Sequence, residues 1–118
     1  MFKFLYVGLG GTLGAILRYS FSFLPIASNK TIFINIIGAI VIGFVSFFSK
    51  NIRVLDQRLF LFLTTGLCGG FTTFSTFSLE TVQLIEKNEY FLALLYSLGT
   101  VVLSLIGIYI GYYLAKLF

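Results

Sequence analysis

The chain is 118 residues long, 58% hydrophobic and only 10% charged, with a formal net charge of +4 and a mean hydropathy of +1.04. A soluble domain needs roughly 25% charged residues to cover its surface, so this surface must face lipid, protein or both. One cysteine, Cys68, and no histidine exclude an internal disulfide and a Cys/His zinc site.

Four apolar blocks follow in chain order, each near the roughly 20 residues needed to cross a bilayer. They predict a single all-α membrane domain over 1–118 with helices at 4–24, 31–49, 59–85 and 90–115. Pro25 and the polar Ser28-Asn29-Lys30 stretch close the first block, Lys50-Asn51 the second, and Glu86-Lys87-Asn88-Glu89 the third. The first block is read as a span rather than a cleaved leader, because its apolar run continues past Arg18 without a small-residue cleavage site. All joints are short, so neighbouring helices must be antiparallel. Lys3, Lys50, Arg53, Arg58 and Lys116 fall on one side of the membrane and Lys30 and Lys87 on the other. That bias favours both termini in the cytoplasm.

Glycines recur at four-residue spacing in three blocks: Gly10 with Gly14, Gly66 with Gly70, and Gly107 with Gly111. Small residues at this spacing allow close helix–helix approach in lipid. They predict tight packing, and carry no chemistry.

In the third block, Gly69-Gly70 followed by Thr72-Thr73 is a poor helix-forming run in mid-span. A break near 69–73 is expected there. Carbonyls freed at that depth must line a cavity or bind an ion, and carbonyl oxygens suit a hard cation such as Na⁺. A continuous helix, with its hydroxyls bonded back to their own turn, is the competing reading.

Phe74 and Phe77 stand three apart and share one helical face. Aromatic rings have positive edges, which can meet an anion without a formal charge, although such pairs more commonly serve packing. Ser75 and Thr76 make the stretch between them polar. In the fourth block Tyr96, Thr100 and Ser104 recur every four residues. Each step rotates about 40°, giving a hydroxyl stripe roughly 12 Å long. Interhelical hydrogen bonding is its plainer use. Asn35, four residues after Thr31, brings uncharged N–H donors to the second block, although a buried asparagine more commonly serves as interhelical hydrogen-bonding glue. Arg18 and Glu80 are charges inside apolar blocks. They are candidates for function, and their nearness to helix ends suggests vestibule or structural positions.

These segments resemble the CrcB/Fluc fluoride channel family along essentially the whole chain. The matching runs are Gly10-Gly11-Thr12-Leu13-Gly14-Ala15-Ile16-Leu17-Arg18-Tyr19 and Thr31-Ile32-Phe33-Ile34-Asn35-Ile36-Ile37-Gly38. The most specific is Gly66-Leu67-Cys68-Gly69-Gly70-Phe71-Thr72-Thr73-Phe74-Ser75-Thr76-Phe77-Ser78-Leu79-Glu80.

The resemblance implies an antiparallel, dual-topology dimer in the plasma membrane, with two pores and a broken third helix. It implies a structural, non-transported Na⁺ at the dimer centre, on the backbone carbonyls of Gly69 and Thr72. It implies a fluoride path along Asn35, Phe74, Phe77, Ser75, Thr76, Tyr96, Thr100 and Ser104, with Arg18 and Thr31 in vestibule or structural roles. The implied function is passive fluoride efflux that limits toxicity. The second subunit is expected to be identical, or else an oppositely oriented paralogue.

The alternative is a small proton-coupled multidrug exporter of four helices. Such exporters use a carboxylate in the first helix, where this chain offers only Arg18. An enzyme is disfavoured, since paired carboxylates and a nucleotide-binding loop are both missing from the sequence. A purely structural subunit would conduct no ions alone.

Overall fold

The computed structural model describes residues 2–25 and 30–118, all helices, turns and short extended joints without a strand. The expected Ser28-Asn29 joint lies outside the described residues. Helix α1 (Phe2–Phe21) is followed by α2 (Lys30–Phe47), which runs on through a π-helical turn, π1 (Phe48–Ile52). The third span comprises α3 (Gln57–Leu61), π2 (Phe62–Cys68), α4 (Gly69–Phe71) and α5 (Phe74–Glu86). Helix α6 (Tyr90–Lys116) closes the chain.

The joints have local causes. The Asp56 side chain caps α3 by accepting the Arg58 N–H at 3.0 Å. Helix α5 ends in a Schellman motif: Asn88 N–H reaches the Ile85 carbonyl and Glu89 N–H the Leu84 carbonyl, each at 2.9 Å. Asn88 takes φ 61° there, a left-handed conformation that asparagine tolerates better than most residues. The turn sends α6 back along the bundle.

Among the described residues, three segments are long and apolar enough to cross a membrane: Lys30–Ile52, Gln57–Glu86 and Tyr90–Lys116. Helix α1, with 20 residues, is shorter than these and is diluted by Lys3, Arg18 and its glycines. The packing suits lipid. Buried positions are held by small or polar residues such as Ala39, Ala93, Ala115, Thr31 and Thr64. Large apolar residues such as Phe4, Phe91 and Leu98 face outward. No large side chain is fully buried among the described residues.

Two glycine seams set the geometry. A Cβ added at Gly10 would lie 2.9 Å from the Gly66 Cα, and one at Gly66 would lie 2.9 Å from the Gly10 Cα. Helix α1 therefore rests backbone to backbone on π2. On the other side, a Cβ at Gly111 would lie 2.2 Å from the Ile40 carbonyl oxygen, which locks α6 onto α2. Helix contact in lipid is driven by such close packing.

The interruption of the third span is shorter than the expected 69–73. Gly69, Gly70 and Phe71 stay helical, and only Thr72 (φ −81°, ψ 161°) and Thr73 (φ −149°, ψ 123°) are extended. Glycine lowers helix preference without forbidding it. Here the chain leaves the helix where side chains capture the backbone.

Candidate functional site

Thr72 and Thr73 are held by named side chains. Thr73 N–H donates to Asn35 Oδ1 at 3.0 Å, and Asn35 Nδ2 donates to the Thr73 carbonyl at 3.2 Å. The Asn35 amide thus pairs with Thr73 as a neighbouring strand would. Thr73 Oγ1 accepts the Thr76 N–H at 3.1 Å and caps α5. On the upstream side, Arg18 Nε donates to the Gly70 carbonyl at 3.2 Å.

These bonds redirect donors that an unbroken helix would use. In an α-helix, Thr73 N–H would close onto the Gly69 carbonyl and Thr76 N–H onto the Thr72 carbonyl. Both are taken by side chains, so the Gly69 and Thr72 carbonyls are released from the ladder. Two carbonyl oxygens near one break suit a hard cation better than a soft one.

An open groove of about 800 Å³ runs beside this break between α2, the third span and α6. Asn35, Gly69, Thr72, Phe74, Phe77, Thr100 and Ser104 all line it. The Phe74 and Phe77 rings lie 5.6 Å apart, centroid to centroid. Phe77 is 9% exposed and packs on Tyr96, whereas Phe74 is 78% exposed at the groove edge. Thr100 is 4% exposed, and its hydroxyl has no hydrogen-bond partner. A buried polar atom without a partner is costly, so Thr100 keeps an unmet hydrogen bond in the wall of the groove.

The remaining candidates lie elsewhere. Thr76 lines a second cleft of about 320 Å³ together with Arg18, Lys30 and Thr31. Thr73 lines both cavities, so the break forms the wall between them. Ser75 is exposed, its hydroxyl 3.4 Å from Thr73 Oγ1. Tyr96 is buried below the groove rather than lining it. Its hydroxyl donates to Glu80 Oε2 at 3.1 Å, and Thr31 Oγ1 donates to Glu80 Oε1. Glu80 therefore ties α2, α5 and α6 together within the bundle.

Some lining residues escaped the sequence reading. Ser46 stands eleven residues after Asn35 on α2, three helical turns along one face. Thr64 and Thr65 come from π2, where the extra residue per turn shifts every face. The Ser46 spacing is visible in the sequence, whereas the π shift is not.

A family model described as "CrcB-like protein, Camphor Resistance (CrcB)" matches residues 5–112. The chain belongs to the CrcB family. Relatives named "Fluoride-specific ion channel FluC" carry the match across the full length. The protein of Helicobacter pylori strain Shi470 is 40% identical, covering 99% of this chain and 95% of its own. That of strain G27 is 41% identical with the same coverage. That of Azobacteroides pseudotrichonymphae is 35% identical over 98% of each chain. As a CrcB-family chain with several apolar spans, the protein is a multi-pass membrane protein.

Proposed function

We propose that this chain is one half of a fluoride-selective channel that releases fluoride passively across the plasma membrane and so limits its toxicity. Family membership and the names of the full-length relatives support the reading. The observation that carries it is the groove: Asn35, the Phe74 and Phe77 rings and Thr100, whose hydroxyl has an unmet bond, line it together, with no formal charge among its lining residues. Fluoride holds its water tightly. A path that replaces that water with several weak donors lets the ion enter and leave, whereas a fixed cation would hold it.

The groove is open on one side, and Phe74 stands exposed at its edge. This supports a second subunit of the same fold, packed antiparallel, that closes the path. The released Gly69 and Thr72 carbonyls would hold a structural Na⁺ at the centre of the pair. Such a cation supplies positive potential for an anion without entering its path. This chain's part is to present the two oxygens, with Arg18 holding the backbone between them at Gly70 and Asn35 holding it just after them at Thr73.

The test is fluoride against chloride efflux from liposomes that contain only this protein. Rapid fluoride loss without a proton gradient, with chloride retained, is expected. Absence of fluoride flux, or flux that requires a proton gradient, would end the reading.

A further inference from the structure

The charge of the bundle is gathered at one end. Lys3 lies in the first turn of α1, Lys50 in π1, Arg53 follows π1, Arg58 lies in the first turn of α3, and Lys116 ends α6. Side-chain contacts bring these segments together. The Arg58 guanidinium sits 5.9 Å from the Phe2 ring centre and Lys116 Nζ sits 5.7 Å from that of Phe47. The Phe44 ring meets Phe118 at 5.7 Å.

The single acid of this end, Asp56, is also the only acid in the first 79 residues, and one of its carboxylate oxygens caps α3. The opposite end differs: Lys30 and Lys87 there face an equal number of acids, Glu86 and Glu89.

We propose that the cationic end is a binding collar for the headgroups of anionic phospholipids, with the lipid phosphodiester as the group recognised. Its setting fits a membrane boundary rather than open solvent. Val54, between Arg53 and Asp56 in the chain, is 84% exposed and presents an apolar side chain beside the cations. Phe2, Tyr113 and Phe118 are likewise exposed around the same end. Apolar side chains placed just inside a ring of cations bury in acyl chains while the cations reach the phosphates. Each lysine or arginine near an anionic surface adds to the attraction. The collar is independent of the fluoride path: none of its five cations lines the groove. An antiparallel pair would carry one collar in each leaflet.

The test uses the purified full-length protein in mixed micelles titrated with phosphatidylglycerol or phosphatidylcholine. Retained lipid is counted by native mass spectrometry at low and high salt. The wild type should retain phosphatidylglycerol about tenfold over phosphatidylcholine at low salt, and the preference should shrink as salt rises. The triple variant Lys50→Gln/Arg53→Gln/Arg58→Gln should lose most of the preference, and Lys87→Gln at the other end should keep it. If the triple variant does not fold, Arg53→Gln alone, in the non-helical joint, should still weaken the preference. Equal retention of the two lipids, or a preference that survives the charge removals, would overturn the proposal. So would displacement of phosphatidylglycerol by millimolar inorganic phosphate, which would mark a site for free anions.

Discussion

Thr72 seats its methyl group in the notch left by Gly38: a Cβ built at Gly38 would lie 2.1 Å from Thr72 Cγ2. The hydroxyl of the same residue donates to the Cys68 carbonyl at 2.8 Å. Gly38→Ala therefore forces a choice. Turning Thr72 about χ1 removes the methyl but takes the hydroxyl off Cys68, and keeping the rotamer drives α2 away from the third span. The expected cost is about 1–3 kcal/mol, typical of overpacking, read as a lower midpoint of thermal unfolding in detergent. Because Thr72 is part of the interruption, fluoride flux should fall with it. Wild-type stability and flux in Gly38→Ala would show that Thr72 does not depend on this notch.

The clamp at Thr73 gives a second expectation. Asn35 both donates to and accepts from the Thr73 backbone. Asn35→Asp keeps the acceptor and loses the donor, while Asn35→Ala loses both. If Asn35 serves the break, flux should rank wild type, then Asp, then Ala, and Thr73 N–H should exchange faster with deuterium in the alanine variant. Net hydrogen bonds of this type are worth about 0.5–1.5 kcal/mol each, so the exchange change at this one amide should be several-fold. Unchanged protection at Thr73 would leave Asn35 a groove donor only.

How far this site was legible follows from these two residues. Asn35, Thr72, Phe74 and Phe77 stand out in the sequence because a polar amide, a Gly-Gly-x-Thr-Thr run and paired rings are unusual within apolar spans. Their partners do not stand out. Gly38 reads as one more small residue of α2 until Thr72 is seen against it. Arg18 reads as a charge in a vestibule or structural position, but nothing in the sequence says that its Nε meets the carbonyl of Gly70, 52 residues away. Contacts of that range depend on which helices lie side by side, and periodicity along one helix carries no such information. The glycine seams were visible because their signal is local spacing. The π turns were not, since one extra residue per turn leaves no compositional mark.

Glycines separate by what they touch. Gly111 abuts the Ile40 carbonyl, a backbone atom that cannot rotate away, whereas a Cβ at Gly99 would meet nothing within 4 Å. Both lie in α6. Gly111→Ala should therefore destabilise the α2–α6 pair. Gly99→Ala should be neutral or stabilising by up to about 1 kcal/mol, since alanine is the better helix former. Unfolding midpoints of the two variants, measured side by side, check this. Equal effects would mean that the α2–α6 contact is not set by Gly111.

Glu80 accepts from Thr31 on α2 and from Tyr96 on α6. Tyr96→Phe leaves Glu80 Oε2 without its donor in a half-buried setting, and an unmade bond of this kind costs about 1–3 kcal/mol. Thr31→Val does the same to Oε1. Because one carboxylate joins both, the two changes should be non-additive: the double variant should differ from the sum of the singles by more than about 0.5 kcal/mol. A thermal double-mutant cycle reads this directly, and strict additivity would mean that Glu80 does not bridge the two helices.

The two phenylalanines should part company on mutation. Phe77 is buried against Tyr96, so Phe77→Ile should lower both stability and flux. Phe74 is 78% exposed and contributes little to the packing of its own chain. Phe74→Ile should leave the unfolding midpoint nearly unchanged, since exposed substitutions usually fall within about 0.5 kcal/mol. If its ring edge closes the path against a partner, fluoride efflux from liposomes should nevertheless drop at least about tenfold, the loss of one favourable contact of about 1.4 kcal/mol at the barrier. That combination, intact fold with failed conduction, distinguishes a ring that faces the ion from one that faces lipid. Wild-type efflux in Phe74→Ile would place the ring among the lipids and leave the aromatic role in the groove to Phe77.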